Sequence, residues 1–143
     1  MKTIFYTFMA CLLITSCDIE SAGNGGIYGN WQLREIDTLA TGGTCNMEKS
    51  SIYWAFESDV MQVRRITSDN KKLLFKYSYA GDSIVAHTPL LVHTKDQLTH
   101  IDDKSMLEEF CFTDLKDVFK IKTHKGNNLV IENAKYRMRF RKY

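Results

Sequence analysis

One pattern constrains this chain more than any other: apolar side chains recur at every second position over much of its length. Leu73, Phe75, Tyr77 and Tyr79 alternate with Leu74, Lys76 and Ser78, so one face is apolar and the other mostly polar. Tyr136, Met138 and Phe140 alternate more cleanly with Arg137, Arg139 and Arg141, and Ile52, Trp54 and Phe56 form a third stripe. Phe119 and Ile121 stand against Lys120 and Lys122, with Leu129 and Ile131 less distinct. Successive side chains of a strand point to opposite faces, so a period of two builds sheets with one face to bury. With Tyr28–Ile36, Val60–Thr67 and Ser83–Thr88 added, the sequence predicts eight strands.

The connections decide how those strands pair. Glu57-Ser58-Asp59, Ser68-Asp69-Asn70-Lys71, Gly81-Asp82, Lys125-Gly126-Asn127-Asn128 and Asn133-Ala134-Lys135 are short and rich in turn residues. Short turns make sequential strands antiparallel neighbours. Two longer connections interrupt the meander, Asp37–Ser50 and Pro89–Lys116. Within the second, Lys104–Phe110 predicts a short helix or lid, and Pro89 marks the place where the meander stops, having no ladder donor. Such a sheet removes its edges by closing on itself. The expectation is an all-β protein, an eight-stranded antiparallel up-and-down β-barrel with a short helix in a long loop; a two-sheet sandwich is the alternative. Closure sends the Arg137/Arg139/Arg141 stripe outward. It brings Trp31, Trp54, Phe56, Phe75, Tyr77, Tyr79, Phe119, Tyr136 and Phe140 inward, as a packed core or as the wall of a pocket for one small hydrophobic ligand.

Residues 1–16 read as a signal peptide: Met1-Lys2 is basic, and Ile4–Ile14 is nearly all apolar but shorter than the ~20 residues a membrane span needs. Ile14-Thr15-Ser16-Cys17 resembles the bacterial lipobox, which implies cleavage before Cys17 and lipidation of its thiol and amine. Residues 17–26 then form a flexible tether, and residues 27–143 a single domain. Asp18 and Glu20 after the cysteine resemble, in part, the export signal of Bacteroidota lipoproteins. The expected location is the cell envelope, at the outer membrane with the leaflet open, and the expected membrane partner is reached through the lipid on Cys17.

The charge is nearly balanced, 19 Lys and Arg against 17 Asp and Glu, which argues against nucleic acid as a partner. His87, His93, His100 and His124 lack metal-ligand spacing, so no metal and no cofactor are expected. Asp102-Asp103 and Glu108-Glu109 are adjacent pairs whose members diverge in a strand or a helix, and nothing resembles a G-x-S-x-G elbow. No catalytic set emerges, and the expectation is a protein that is not an enzyme. Cys45 and Cys111 remain after processing; a disulfide and two buried thiols are equally open.

Gly29-Asn30-Trp31 at the head of the first strand resembles the G-x-W signature of lipocalins. The chain from about residue 27 is similar to lipocalin-like lipoproteins of Bacteroidota, through Gly29-Asn30-Trp31-Gln32-Leu33, Trp54-Ala55-Phe56, Phe119-Lys120-Ile121 and a terminal aromatic strand ending in a basic residue. The resemblance implies that Trp31 plugs the closed end of a barrel and that Arg137, Arg139 or Arg141 packs on it. Thr113-Asp114-Leu115 is the nearest match to the family's T-D-Y loop. Two functions follow. One is a lipid-anchored lipocalin-like barrel that binds a small hydrophobic ligand. The other is an accessory or inhibitor lipoprotein that acts through its surface and has a solid barrel.

Overall fold

Two-residue turns set the topology. Ser58-Asp59 joins strands paired through Glu57 and Val60, Gly81-Asp82 joins Ala80 to Ser83, and Gly126-Asn127 joins Lys125 to Asn128. Gly81 (φ 63°) and Gly126 (φ 57°) take the left-handed conformation these tight hairpins require. A computed structural model describes residues 26–143. The signal peptide, Cys17 and nearly all of the tether lie outside the described residues.

Among the described residues ten strands form: β1 (Gly29–Thr38), β2 (Thr44–Asn46), β3 (Ile52–Glu57), β4 (Val60–Arg65), β5 (Lys72–Ala80), β6 (Ser83–Thr94), β7 (Gln97–His100), β8 (Asp117–Lys125), β9 (Asn128–Glu132) and β10 (Tyr136–Lys142). Eight of them run β1-β3-β4-β5-β6-β8-β9-β10 and close when β10 pairs with β1, Leu33 opposite Phe140 and Thr38 opposite Tyr136. Every pairing is antiparallel. The predicted barrel is therefore present.

β2 and β7 lie off the ring, and the sequence reading took both for loop. β2 continues the β1 ladder beyond β3 at Glu35–Asp37, and β7 continues the β6 ladder beyond β8 at Leu90–Thr94. The meander does not stop at Pro89. β6 passes through it to Thr94, because a bulge sets Thr88 and Pro89 together opposite Phe75, with Thr88 at φ 54°. At a bulge the ladder has no need of the proline's missing N–H. The Pro89 carbonyl still accepts from the Ile101 N–H at 3.0 Å.

The hairpin turns 58–59, 81–82 and 126–127 lie at one end of the barrel, together with the start of β1 and the end of β10. Trp31 closes that end, donating from Nε1 to the Ile27 carbonyl at 2.9 Å. The longer connections gather at the other end. There a 3-10 helix, Lys104–Phe110, crosses the mouth as the predicted short helix, capped by Asp103, which accepts from the Ser105 N–H.

Candidate functional site

The interior is the place to look first, since seven of the nine predicted inward rings are buried: Trp31, Trp54, Phe56, Phe75, Tyr77, Phe119 and Phe140. Tyr79 and Tyr136 are only half-buried, packed against the margin of the core. Trp54 is the hub. Its ring centroid lies 5.0 Å from Phe140, 5.3 Å from Phe119 and 6.3 Å from Phe56. Aromatic pairs at such distances stabilise beyond their area burial.

The sequence reading missed what fills the rest. Residues after the lid helix turn down into the mouth, with Cys111 at φ 65° making the turn. Phe112 then enters the barrel. It stacks on Phe75 at 4.5 Å and 4°, lies 5.3 Å from Trp54 and meets Phe119 edge-on at 5.1 Å. Leu107 and Phe110 are fully buried beneath the lid. The loop thus supplies the side chains a strand-only reading leaves out. A run Phe110-Cys111-Phe112 inside a long loop was the available signal.

Two polar groups hold this lid. Below it, Asp117 accepts from the Thr113 N–H at 2.8 Å, and Asn133 donates from Nδ2 to Asp117 at 3.1 Å and to the Cys111 carbonyl at 2.7 Å. The Asn133 Oδ1 takes the Lys135 and Tyr136 N–H groups of the β9–β10 turn. Above it, Glu109 accepts from Arg65 at 2.6 Å and from Lys71, while Arg65 also grips Asp69. Arg65 and Lys71 lie over the Phe110 ring at 5.6 and 5.9 Å. Burial opposes ionisation of Glu109, but hydrogen bonds from Lys71 and Arg65 outweigh it and leave the carboxyl below its ordinary range. Asp69, bonded to Arg65 and Thr67, is lowered to about 2.

One donor inside has no acceptor: Trp54 Nε1 is buried without a partner. Cys45 is exposed on β2 and Cys111 is buried, both as free thiols. Burial pushes the Cys111 thiol up to about 11, with the Cys45 charge adding to the effect.

The basic stripe is outside, as expected, and largely neutralised. Arg137 pairs with Glu132 at 3.1 Å, and Arg139 with Glu35 and Asp37 at 2.8 and 2.6 Å. None of these arginines reaches Trp31. Lys142 does, its Nζ 5.5 Å from the ring centroid, because the alternation turns Lys142 to the inner side at the closed end. His124 approaches the same ring edge-on at 5.8 Å. Among the described residues, no three His, Cys, Asp or Glu side chains converge as metal ligands. Asp103 and Glu109, singled out as members of acidic pairs, serve the lid as cap and latch. A hollow of about 390 Å³ lies on the outer wall between Asn30, Ala55, Gln62 and Leu74.

With the closed barrel and its Trp31 plug in place, the comparisons are decisive. The lipocalin-like domain model matches residues 11–143. The chain belongs to this lipocalin-like family. A lipocalin-like protein from Bacteroides uniformis is similar in structure, with a TM-score of 0.62 and 22% identity over 81% of this chain and 97% of that one. An uncharacterised protein from Bacteroides eggerthii matches with a TM-score of 0.57 and 16% identity over 81% and 98%. At such identities the likeness is one of fold. Among curated proteins none matches. In this lipocalin-like barrel, Gly29-Asn30-Trp31 opens β1, and Thr113, on the first segment after the lid, is tied to Asp117.

Proposed function

We propose that this protein is a binding module rather than an enzyme, held at the outer membrane by lipid on Cys17 and acting through its outer surface in an accessory role. The barrel is the scaffold. The observation that supports this most is Phe112, which occupies the barrel centre in stacked contact with Phe75 and Trp54. Interiors pack at crystal-like density, so a site already holding a phenyl ring has no room for a second apolar guest. Native mass spectrometry of the purified protein should find it bare, and a hydrophobic dye should not bind. An apolar molecule carried through purification in stoichiometric amount would overturn the solid-barrel reading. Fatty-acid labelling tests the anchor separately: label is expected on the wild type and lost in Cys17→Ala, and an unlabelled wild type would remove it.

A second reading is favoured by Trp54 Nε1, a buried donor without an acceptor. Such a group costs about 1–3 kcal/mol if left unmet. A small hydrophobic ligand carrying one acceptor would satisfy it while displacing Phe112. That reading predicts that amphipathic acyl compounds raise the unfolding temperature.

A further inference from the structure

The outer wall is not uniform. On most of it, opposite charges pair off: Arg34 with Glu48, Arg137 with Glu132, Arg139 with Glu35 and Asp37. The part of the wall where the start of β1 runs beside β3, β4 and β5 breaks that habit. Register sets Asn30, Ala55, Gln62 and Leu74 in one row across the four strands. Ala55 is too small to fill its place in the row, so the wall dips there and leaves the hollow of about 390 Å³. Glu57 and Val60 bound it toward the closed end, and Arg64 bounds it toward the mouth.

Its polar side chains are unengaged. Those of Asn30, Gln62 and Glu57 make no hydrogen bond or ion pair with any other described residue. Arg64 has no carboxylate partner among the described residues, and its Nε is buried without an acceptor there. What holds the guanidinium is the Tyr53 ring, 5.7 Å from its centre, and Tyr143 stands edge-on against Tyr53 at 5.3 Å. Glu57 and Arg64 share one hollow without meeting, so a guest can lie between them.

We infer that this hollow is a binding site for a neutral saccharide, a deepening of the surface-acting function proposed above. The chemistry discriminates among guests. One cation and one anion give the lining no net charge, so an anionic guest would satisfy Arg64 and be repelled by Glu57. An apolar guest would strand four polar side chains, each costly to desolvate without a partner. A sugar meets both demands. Each hydroxyl donates and accepts at once, matching two amides, a guanidinium and a carboxylate. Its C–H faces suit Ala55, Val60 and Leu74 in the lining. The volume falls in the range of small-molecule sites.

The test is saturation-transfer NMR on the full-length protein in a detergent without a sugar headgroup. The probes are the methyl glycosides of glucose, galactose, mannose and N-acetylglucosamine, with N-acetylneuraminic acid as the anionic control. At least one neutral glycoside should show transfer. Arg64→Met should weaken it about tenfold, as expected for losing a charged hydrogen-bond donor. Ala55→Leu, which fills the floor and leaves every polar group in place, should abolish it while the unfolding temperature stays near wild type. No transfer from any neutral glycoside, transfer that survives Ala55→Leu in a folded protein, or transfer from the anion alone would each overturn the inference. The solid-barrel reading fails by a different result, an apolar guest inside, so the two stand or fall separately.

Discussion

The rings of Phe112 and Phe75 lie parallel, 4.5 Å apart and 4° from coplanar, one carried by a loop and the other by a barrel strand. This contact joins the lid to the wall. It makes Leu107, Phe110 and Phe112 of the lid segment part of the core rather than a cover over it, and most of the predictions below depend on it.

Phe112→Ala should leave a void at the barrel centre. Large-to-small changes at such sites cost about 3–5 kcal/mol, so chemical denaturation should show a loss of that order. The variant should also acquire dye binding that the wild type lacks. A variant as stable as wild type would mean that Phe112 does not occupy the interior in solution.

The latch should matter locally more than globally. The Glu109 side chain is 34% exposed and those of Arg65 and Lys71 23% and 25%, and such solvent-screened pairs are worth about 0–1 kcal/mol each. Glu109→Gln should therefore shift the denaturation midpoint little, while amide exchange across residues 101–112 quickens. Unchanged exchange would show that Phe110 and Phe112 hold the lid without the ion pairs.

Acid should open the same element. Asp69 is lowered to about 2 from an ordinary value of 3.8, and Glu109 and Asp103 are lowered as well. A carboxylate whose folded pKa is depressed stabilises the fold above its unfolded pKa, and that stabilisation is lost as pH falls through the folded value. Lid opening, read as amide exchange divided by the intrinsic rate at each pH, should thus be flat above about pH 5 and rise between about pH 4 and 2. A rise between pH 6 and 8 would point to a histidine instead.

Lys142→Ala should cost about 0.5–1 kcal/mol through the lost contact with Trp31, the range for a cation that is itself exposed to solvent. Arg141→Ala, one residue earlier and on the outer face, should be near neutral. Equal effects would remove the distinction between them.

The two thiols should differ in reactivity. Cys45 is exposed, whereas Cys111 is buried and pushed up to about 11, so little of it is thiolate at neutral pH. A maleimide should modify Cys45 at once and Cys111 only on unfolding. No modification of either before reduction would mean that they are bridged.

Much of this architecture was legible because period two is a property of each strand alone. Trp54, Phe75 and Phe140 could be assigned inward without any knowledge of their neighbours. What was not legible depended on partners far away in sequence. Pro89 read as a terminator because a proline breaks a ladder, yet the bulge opposite Phe75 removes the need for its N–H. Phe112 carried no periodic signal, since a loop has none. The cation on Trp31 was sought one position too early: an arginine stripe drew attention, and the inward parity of Lys142 did not. The outer-wall hollow was invisible because it arises from cross-strand register, which aligns Asn30 with Ala55 and Ala55 with Gln62.

The placement of Trp31 also fixes a direction. Ile27, whose carbonyl receives the indole N–H, marks where the chain enters the barrel, and Lys142 leaves beside it. If lipid sits on Cys17, the intervening residues reach at most about 35 Å. The plugged base would then be the end through which the barrel is tethered, and the latched mouth the end opposite to it. The hollow beside Glu57 and Val60 would sit on the flank, with those two residues at its lower end. A guest would then reach it from the side of the barrel, without passing the lid.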